Sequence, residues 1–162
     1  MTMRGRAHKY AENVDTDAIL PGRYLNIADA EELGKHCMEN FDPEFRSRVK
    51  QGDIIVARSN YGCGSSREHA PVAIKANGIS CIVADSFARI FYRNSINLAL
   101  PLVECADAAA VTEMGDDVEV DLGKGTVVNH TKGQSFEFSR YPDFMMELLN
   151  AGGLIEHTRS TM

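Results

Sequence analysis

Residues 54–84 read IIVARSNYGCGSSREHAPVAIKANGISCIVA, and the alternation inside this stretch decides the fold class. Two short apolar, β-branched runs, 54–57 and 79–84, have the length of strands buried on both faces. Between them lie a glycine-bearing loop and a segment of helical spacing. That helix is expected over about 68–77, closed by Gly78, because glycine takes the left-handed conformation beyond a helix end without strain. Strand, helix and returning strand make a βαβ unit, so the two strands are expected to run parallel.

The alternation continues toward the C-terminus. A helix is expected over 86–98, a third strand over 100–105 and a short helix over 106–114. The pattern then changes. In DVEVDL, 117–122, apolar and acidic residues alternate strictly, as in a strand with one face in water. Gly123-Lys124-Gly125 turns the chain, further strands follow at 126–129 and 135–139, and an amphipathic helix over about 142–150 ends at Gly152-Gly153.

On the N-terminal side the first ten residues read as a strand and 13–17 as a loop. Residues 19–27, ILPGRYLNI, are broken by Pro21-Gly22 and read as irregular. Asp29 with Glu32 forms a capping-box pattern for a helix reaching about Met38, and a turn-rich stretch leads to residue 54. The expected architecture is α/β, one domain over 1–162, with a parallel core and a C-terminal antiparallel β segment.

Bulk properties narrow the function. With 44% hydrophobic and 25% charged residues the chain has the composition of a soluble globular protein. A net charge of −6 and scattered basic residues argue against a nucleic-acid partner. No apolar run is long enough for a membrane span or a signal peptide, so the cytosol is the expected location and the sequon at 129–131 is read as chance. Cys37, Cys63, Cys81 and Cys105 are far apart and carry no metal-ligand spacing, so no metal site is expected on this chain.

The loop GCGSSREHAP, 62–71, sits where open α/β sheets bind ligands, at the carboxyl end of a strand. Gly62 and Gly64 allow a backbone nest for an anion, a helix start adds free N–H groups, and Arg67 offers a planar fork for a carboxylate or phosphate. No Walker, dinucleotide or nucleophile-elbow motif is present. Two readings stand side by side. In one, Ser65 or Ser66 faces a small bound anion. In the other, a serine simply caps the helix, Glu68 favours its dipole and Pro71 suits its first turn.

Together with NVDTDAILP at 13–21 and SFARIFYRNS at 86–95, this loop resembles the small subunits of isopropylmalate dehydratase. These are separate-chain counterparts of the swivelling C-terminal domain of aconitase, and the resemblance runs along the whole chain. It implies a β/β/α swivelling domain that is inactive without a large subunit carrying a [4Fe–4S] cluster. It implies that Ser65 is the base that removes the carbon-bound proton, that Arg67 holds a substrate carboxylate, and that Ser66 adds a hydrogen bond. Thr16 and Asp17 would form a second active-site segment. The loop Arg23-Tyr24-Leu25-Asn26-Ile27 would set specificity among malate-type substrates. Asn26 stands where homoaconitase-like relatives carry arginine, which favours an uncharged substituent, although Arg23 is close enough in sequence to swing in.

The resemblance thus implies interconversion of 2- and 3-isopropylmalate in leucine biosynthesis, with homoaconitate, citramalate or dimethylmalate as alternative substrates. A serine hydrolase using His69 and an RNA-binding domain are rivals from other classes. The sequence also leaves open a homo-oligomer of the isolated chain.

Overall fold

The computed structural model describes residues 1–161. Strands Thr2–Lys9 (β1), Ile54–Val56 (β2), Cys81–Ala84 (β3), Leu102–Glu104 (β4), Asp117–Asp121 (β5), Thr126–Asn129 (β6) and Gln134–Glu137 (β7) form one sheet. Its order is β4-β3-β2-β1-β5-β6-β7. The helices are Thr16–Ile19 (α1), Ala30–Gly34 (α2), Phe45–Arg48 (α3), His69–Ala76 (α4), Arg89–Asn97 (α5), Ala106–Val111 (α6), Asp143–Ala151 (α7) and Leu154–Thr161 (α8). The expected α/β class, with a parallel core and an antiparallel extension, is the class observed.

Strand β1 joins the two halves of the sheet. Its residues 7–9 run parallel to β2, while residues 2–6 run antiparallel to β5. The parallel strands are covered on both faces, so successive side chains enter different cores. Ile55 and Ile82 pack with Ala70, Ala73 and Ile74 of α4, Leu33 of α2 and Phe91 of α5. Ile54, Val56 and Val83 pack with Ala108 and Ala109 of α6 and Leu148 and Leu149 of α7. In β5 only Val118 and Val120 are buried, as the acidic alternation predicts.

Several local departures have identifiable causes. Residues 16 and 17, expected as the end of a loop, open the helix α1 because the Asp15 carboxylate accepts from Ala18 N at 2.7 Å and caps a single turn. Helix α2 ends at Gly34 rather than near Met38; Asp29 caps it, but Glu32 pairs with Lys35 at 2.7 Å instead of closing a capping box. Helix α5 begins later than expected because Phe87 bridges to Tyr61, with Ala88 N donating to Tyr61 O at 3.0 Å. Helix α6 stops early, its last carbonyls accepting from the Lys9 ammonium, 2.6 Å from Thr112 O. The chain does not end its helices at Gly152-Gly153: both take positive φ, and α8 follows. Among the described residues no helix is long and apolar enough to cross a membrane.

Candidate active site

The loop that follows β2 is held by packing and by pairing with the loop before α1. Tyr61 is fully buried, with its ring edge-on to Phe91 at 5.5 Å. Gly62 follows at φ +83, and a Cβ there would lie 2.2 Å from Phe91 Cγ, so only glycine lets the chain pass. Gly62 N donates to Val14 O at 2.7 Å and Thr16 N to Cys63 O at 2.8 Å, which fastens the two loops edge to edge. Gly64, at φ +97, then turns the backbone across Thr16; a Cβ would stand 3.3 Å from Thr16 Oγ1.

This pairing brings the two candidate segments together side chain by side chain. Buried Thr16 donates through Oγ1 to Ser65 O at 3.1 Å and lies 3.3 Å from Ser65 Oγ. Arg67 Nη1 donates to Asp17 Oδ1 at 2.9 Å and to Leu20 O at 3.2 Å. The same Asp17 oxygen accepts from Gly22 N at 3.1 Å. The Arg67 hydrogen bond and this backbone bond hold the Asp17 carboxyl below the usual carboxylate range, so it is an anion that fixes Arg67. The guanidinium lies against Gly22, where a Cβ would come 3.2 Å from Nη2. With Nη1 committed, Nε and Nη2 leave the side-on face of the fork for a bound carboxylate.

Ser65, Ser66, Arg67, Glu68 and His69 line an open depression of about 500 Å³ together with Leu25. Both serines are exposed, and among the described residues their N–H groups have no protein acceptor. Neither serine caps α4. The residue before that helix is Glu68, whose side chain makes no capping bond, so the capping reading of this loop is not the one the structure adopts. No imidazole bonds to Ser65 among the described residues; its side-chain partner is Thr16.

The segment 22–27, expected as irregular, is ordered against the core. Gly22–Tyr24 form a 3-10 turn, Leu25 lines the depression, Asn26 is exposed, and Tyr24 and Ile27 pack against the adjacent core. Arg23 does not swing in: its Nη2 is 2.6 Å from Glu39 Oε1. Thr16 and Asp17 touch Ser65 and Arg67 from behind and are not among the residues lining the depression.

The model of the aconitase C-terminal domain matches residues 2–107, a span reaching from β1 past β4 and containing every candidate residue. The chain belongs to the aconitase C-terminal domain family. Family relatives cover the rest as well. A protein of Caldicellulosiruptor saccharolyticus named 3-isopropylmalate dehydratase small subunit is 57% identical over 162 residues, 100% of this chain and 94% of its own length. A protein of Eubacterium barkeri named 2,3-dimethylmalate dehydratase small subunit is 55% identical, covering 99% of each. Among solved structures, 3-isopropylmalate dehydratase of Methanocaldococcus jannaschii superposes with a TM-score of 0.94 at 45% identity, over 99% of this chain and 95% of that one.

Cys37 lies in one core, Cys81 and Cys105 lie in the other, and Cys63 is on the loop. Among the described residues no group of three or more His, Cys, Asp or Glu is placed to hold a metal ion.

Three contributors to this candidate site went unread in the sequence. Gly22 makes room for the Arg67 guanidinium, Leu20 supplies a carbonyl to it, and Glu39 holds Arg23. Pro21-Gly22 is a visible signal for the first, since a glycine after proline marks a special turn. The other two depend on tertiary approach and have no sequence signal.

Proposed function

We propose that the chain is the small subunit of a hydro-lyase interconverting 2- and 3-isopropylmalate through isopropylmaleate, active only with a large subunit bearing a [4Fe–4S] cluster. The observation that carries this reading is the double pairing of Thr16 with Ser65 and Asp17 with Arg67 beside one open depression. The names of relatives more than half identical to this chain support the substrate class. The partner's cluster would supply Lewis-acid assistance to departure of the substrate hydroxyl. This chain would supply the base and the carboxylate clamp.

A serine hydroxyl is a weak base until its anion is stabilised. Thr16 has one hydroxyl proton, donated at rest to Ser65 O. Once exposed Ser65 Oγ has given its own proton to solvent, that hydroxyl can turn to the oxyanion 3.3 Å away, and the free loop N–H groups add further donors. Arg67, fixed by Asp17, would hold a substrate carboxylate on its open side, and Ser66 would add a hydrogen bond. One atom, Ser65 Oγ, can then both remove the proton and return one on rehydration, serving both halves of an isomerisation through an alkene. Leu25 at the depression and Arg23 bound elsewhere favour an uncharged substituent.

The test is a complex reconstituted with a cluster-bearing large subunit. Ser65→Ala should abolish turnover while co-elution with the large subunit persists. Retention of more than about a hundredth of wild-type kcat would remove Ser65 from the base role. Because a 55% identical relative is named for 2,3-dimethylmalate, the panel includes that substrate, citramalate and homoaconitate beside isopropylmalate. A preference for homoaconitate would overturn the substrate assignment.

A further inference from the structure

Glu39 lies outside both active-site motifs, yet three side chains converge on its carboxylate. Arg23 Nη2 is 2.6 Å from Oε1, the Tyr24 hydroxyl donates to the same oxygen, and His36 Nδ1 is 2.8 Å from Oε2. The Tyr24 and His36 rings stack at 3.7 Å and 9°, and Arg23 Cζ stands 4.8 Å over the Tyr24 ring. Burial opposes the Glu39 anion, but these three donors outweigh it and keep its carboxyl below the usual range. The backbone beside it is anchored too, since Met38 takes a positive φ and its N–H donates to Ile19 O at 2.8 Å. Glu39 is therefore a fixed anion that holds the Arg23-Tyr24 part of the loop.

The position of Arg23 gives this anchor a consequence. It follows Gly22, which lies against Arg67, and precedes by two residues Leu25, which lines the depression. Released from Glu39, the Arg23 guanidinium would be free to turn toward a substituent projecting past Leu25, two residues on, and a carboxylate there would be its natural partner. With Arg23 held over Tyr24, the loop presents Leu25 instead.

We infer that Glu39 is a positioning residue that sets the substrate class, by holding Arg23 away from the depression and so disfavouring substituents that carry a carboxylate. This rests on the hydro-lyase reading above. Releasing the arginine removes the population penalty that a carboxylate-bearing substrate otherwise meets. The latch is partly solvated, with the Arg23 side chain 58% exposed, so the penalty is modest.

The test compares kcat/KM for isopropylmalate and for homoaconitate in the reconstituted complex. Glu39→Gln keeps an acceptor for Tyr24 and removes the charge. It should raise the homoaconitate-to-isopropylmalate ratio about fivefold. Adding Arg23→Ala should return the ratio to the wild-type value. An unchanged ratio in Glu39→Gln, an equal fall for both substrates, or a gain that survives Arg23→Ala would each overturn the inference. A second readout is independent of turnover. In the isolated chain, NMR should show hindered rotation of the Arg23 guanidinium in the wild type and free rotation in Glu39→Gln; free rotation in both refutes the latch. If the wild-type complex fails on isopropylmalate, the functional reading falls, and the arginine signals still decide the latch.

Discussion

Gly62→Ala tests the idea that the loop after β2 is shaped by close passage over α5. The backbone at Gly62 has φ +83, where an alanine costs about 1–2 kcal/mol because its Cβ crowds the neighbouring carbonyl. The added methyl would also lie 2.2, 2.5 and 2.6 Å from three atoms of Phe91. Phe91 is only 3% exposed and edge-on to Tyr61, so it has no free space into which to retreat. Overpacking of that kind costs about 1–3 kcal/mol. The two terms sum to about 2–5 kcal/mol, a fall in Tm of roughly 4–20 °C for a chain of this size. Thermal and urea unfolding followed by circular dichroism measure it. Phe91→Ala supplies a control, because it deletes two of the three overlapping atoms. The double variant should be less destabilised than the sum of the singles by about 1–2 kcal/mol. A Gly62→Ala protein melting within about 2 °C of wild type would refute the argument, and strict additivity with Phe91→Ala would locate the strain elsewhere.

The other predictions concern the site, the pH response and the thiols. Thr16→Val removes the one side chain that hydrogen-bonds to Ser65 among the described residues, and should lower kcat of the reconstituted complex by about tenfold or more while Thr16→Ser retains most of it; equal activity of the two variants would contradict the role given to that hydroxyl. For Asp116, burial opposes the anion, but Asn129 Nδ2 at 2.9 Å, Glu113 N at 2.9 Å and Lys132 outweigh it and lower the pKa. A lowered folded pKa gives stability that is present above the unfolded value of about 4 and is lost as pH falls through the folded one. The urea midpoint should therefore drop between pH 5 and pH 3, and drop less in Asp116→Asn; parallel curves would exclude Asp116 as a source. Burial pushes the Cys37 thiol up to about 12 and raises Cys81 and Cys105 as well, so a disulfide reagent at pH 8 should label half-exposed Cys63 alone before unfolding. Fast reaction of a second thiol would show that one of the cores opens.

What could be read from the chain alone followed from local rules. The apolar β-branched runs at 54–57 and 79–84 had to be buried strands, and DVEVDL had to be half-exposed, because side-chain period and burial are properties of a few consecutive residues. Ser65 and Arg67 stood out because two glycines beside them allow a backbone that other residues resist. Helix ends were less legible. The start of α5 depends on Phe87 bridging to Tyr61, and the end of α6 on the Lys9 ammonium from β1, neither of which a window around those helices contains. The change of direction between the partners of β1 was hidden for the same reason.

The site shows the same division. The loop's residue pattern singled out Ser65 and Arg67, and the family resemblance implied Thr16 and Asp17, as separate candidates. Only the folded chain placed Thr16 on Ser65 and Asp17 on Arg67, across sequence separations of 49 and 50 residues. It also decided that the serines do not cap α4 and that Arg23 turns to Glu39. Residue type sets which bonds a side chain can make; which of them it does make depends on what the tertiary fold brings within about 3 Å, and that distance is not written in any local stretch of sequence.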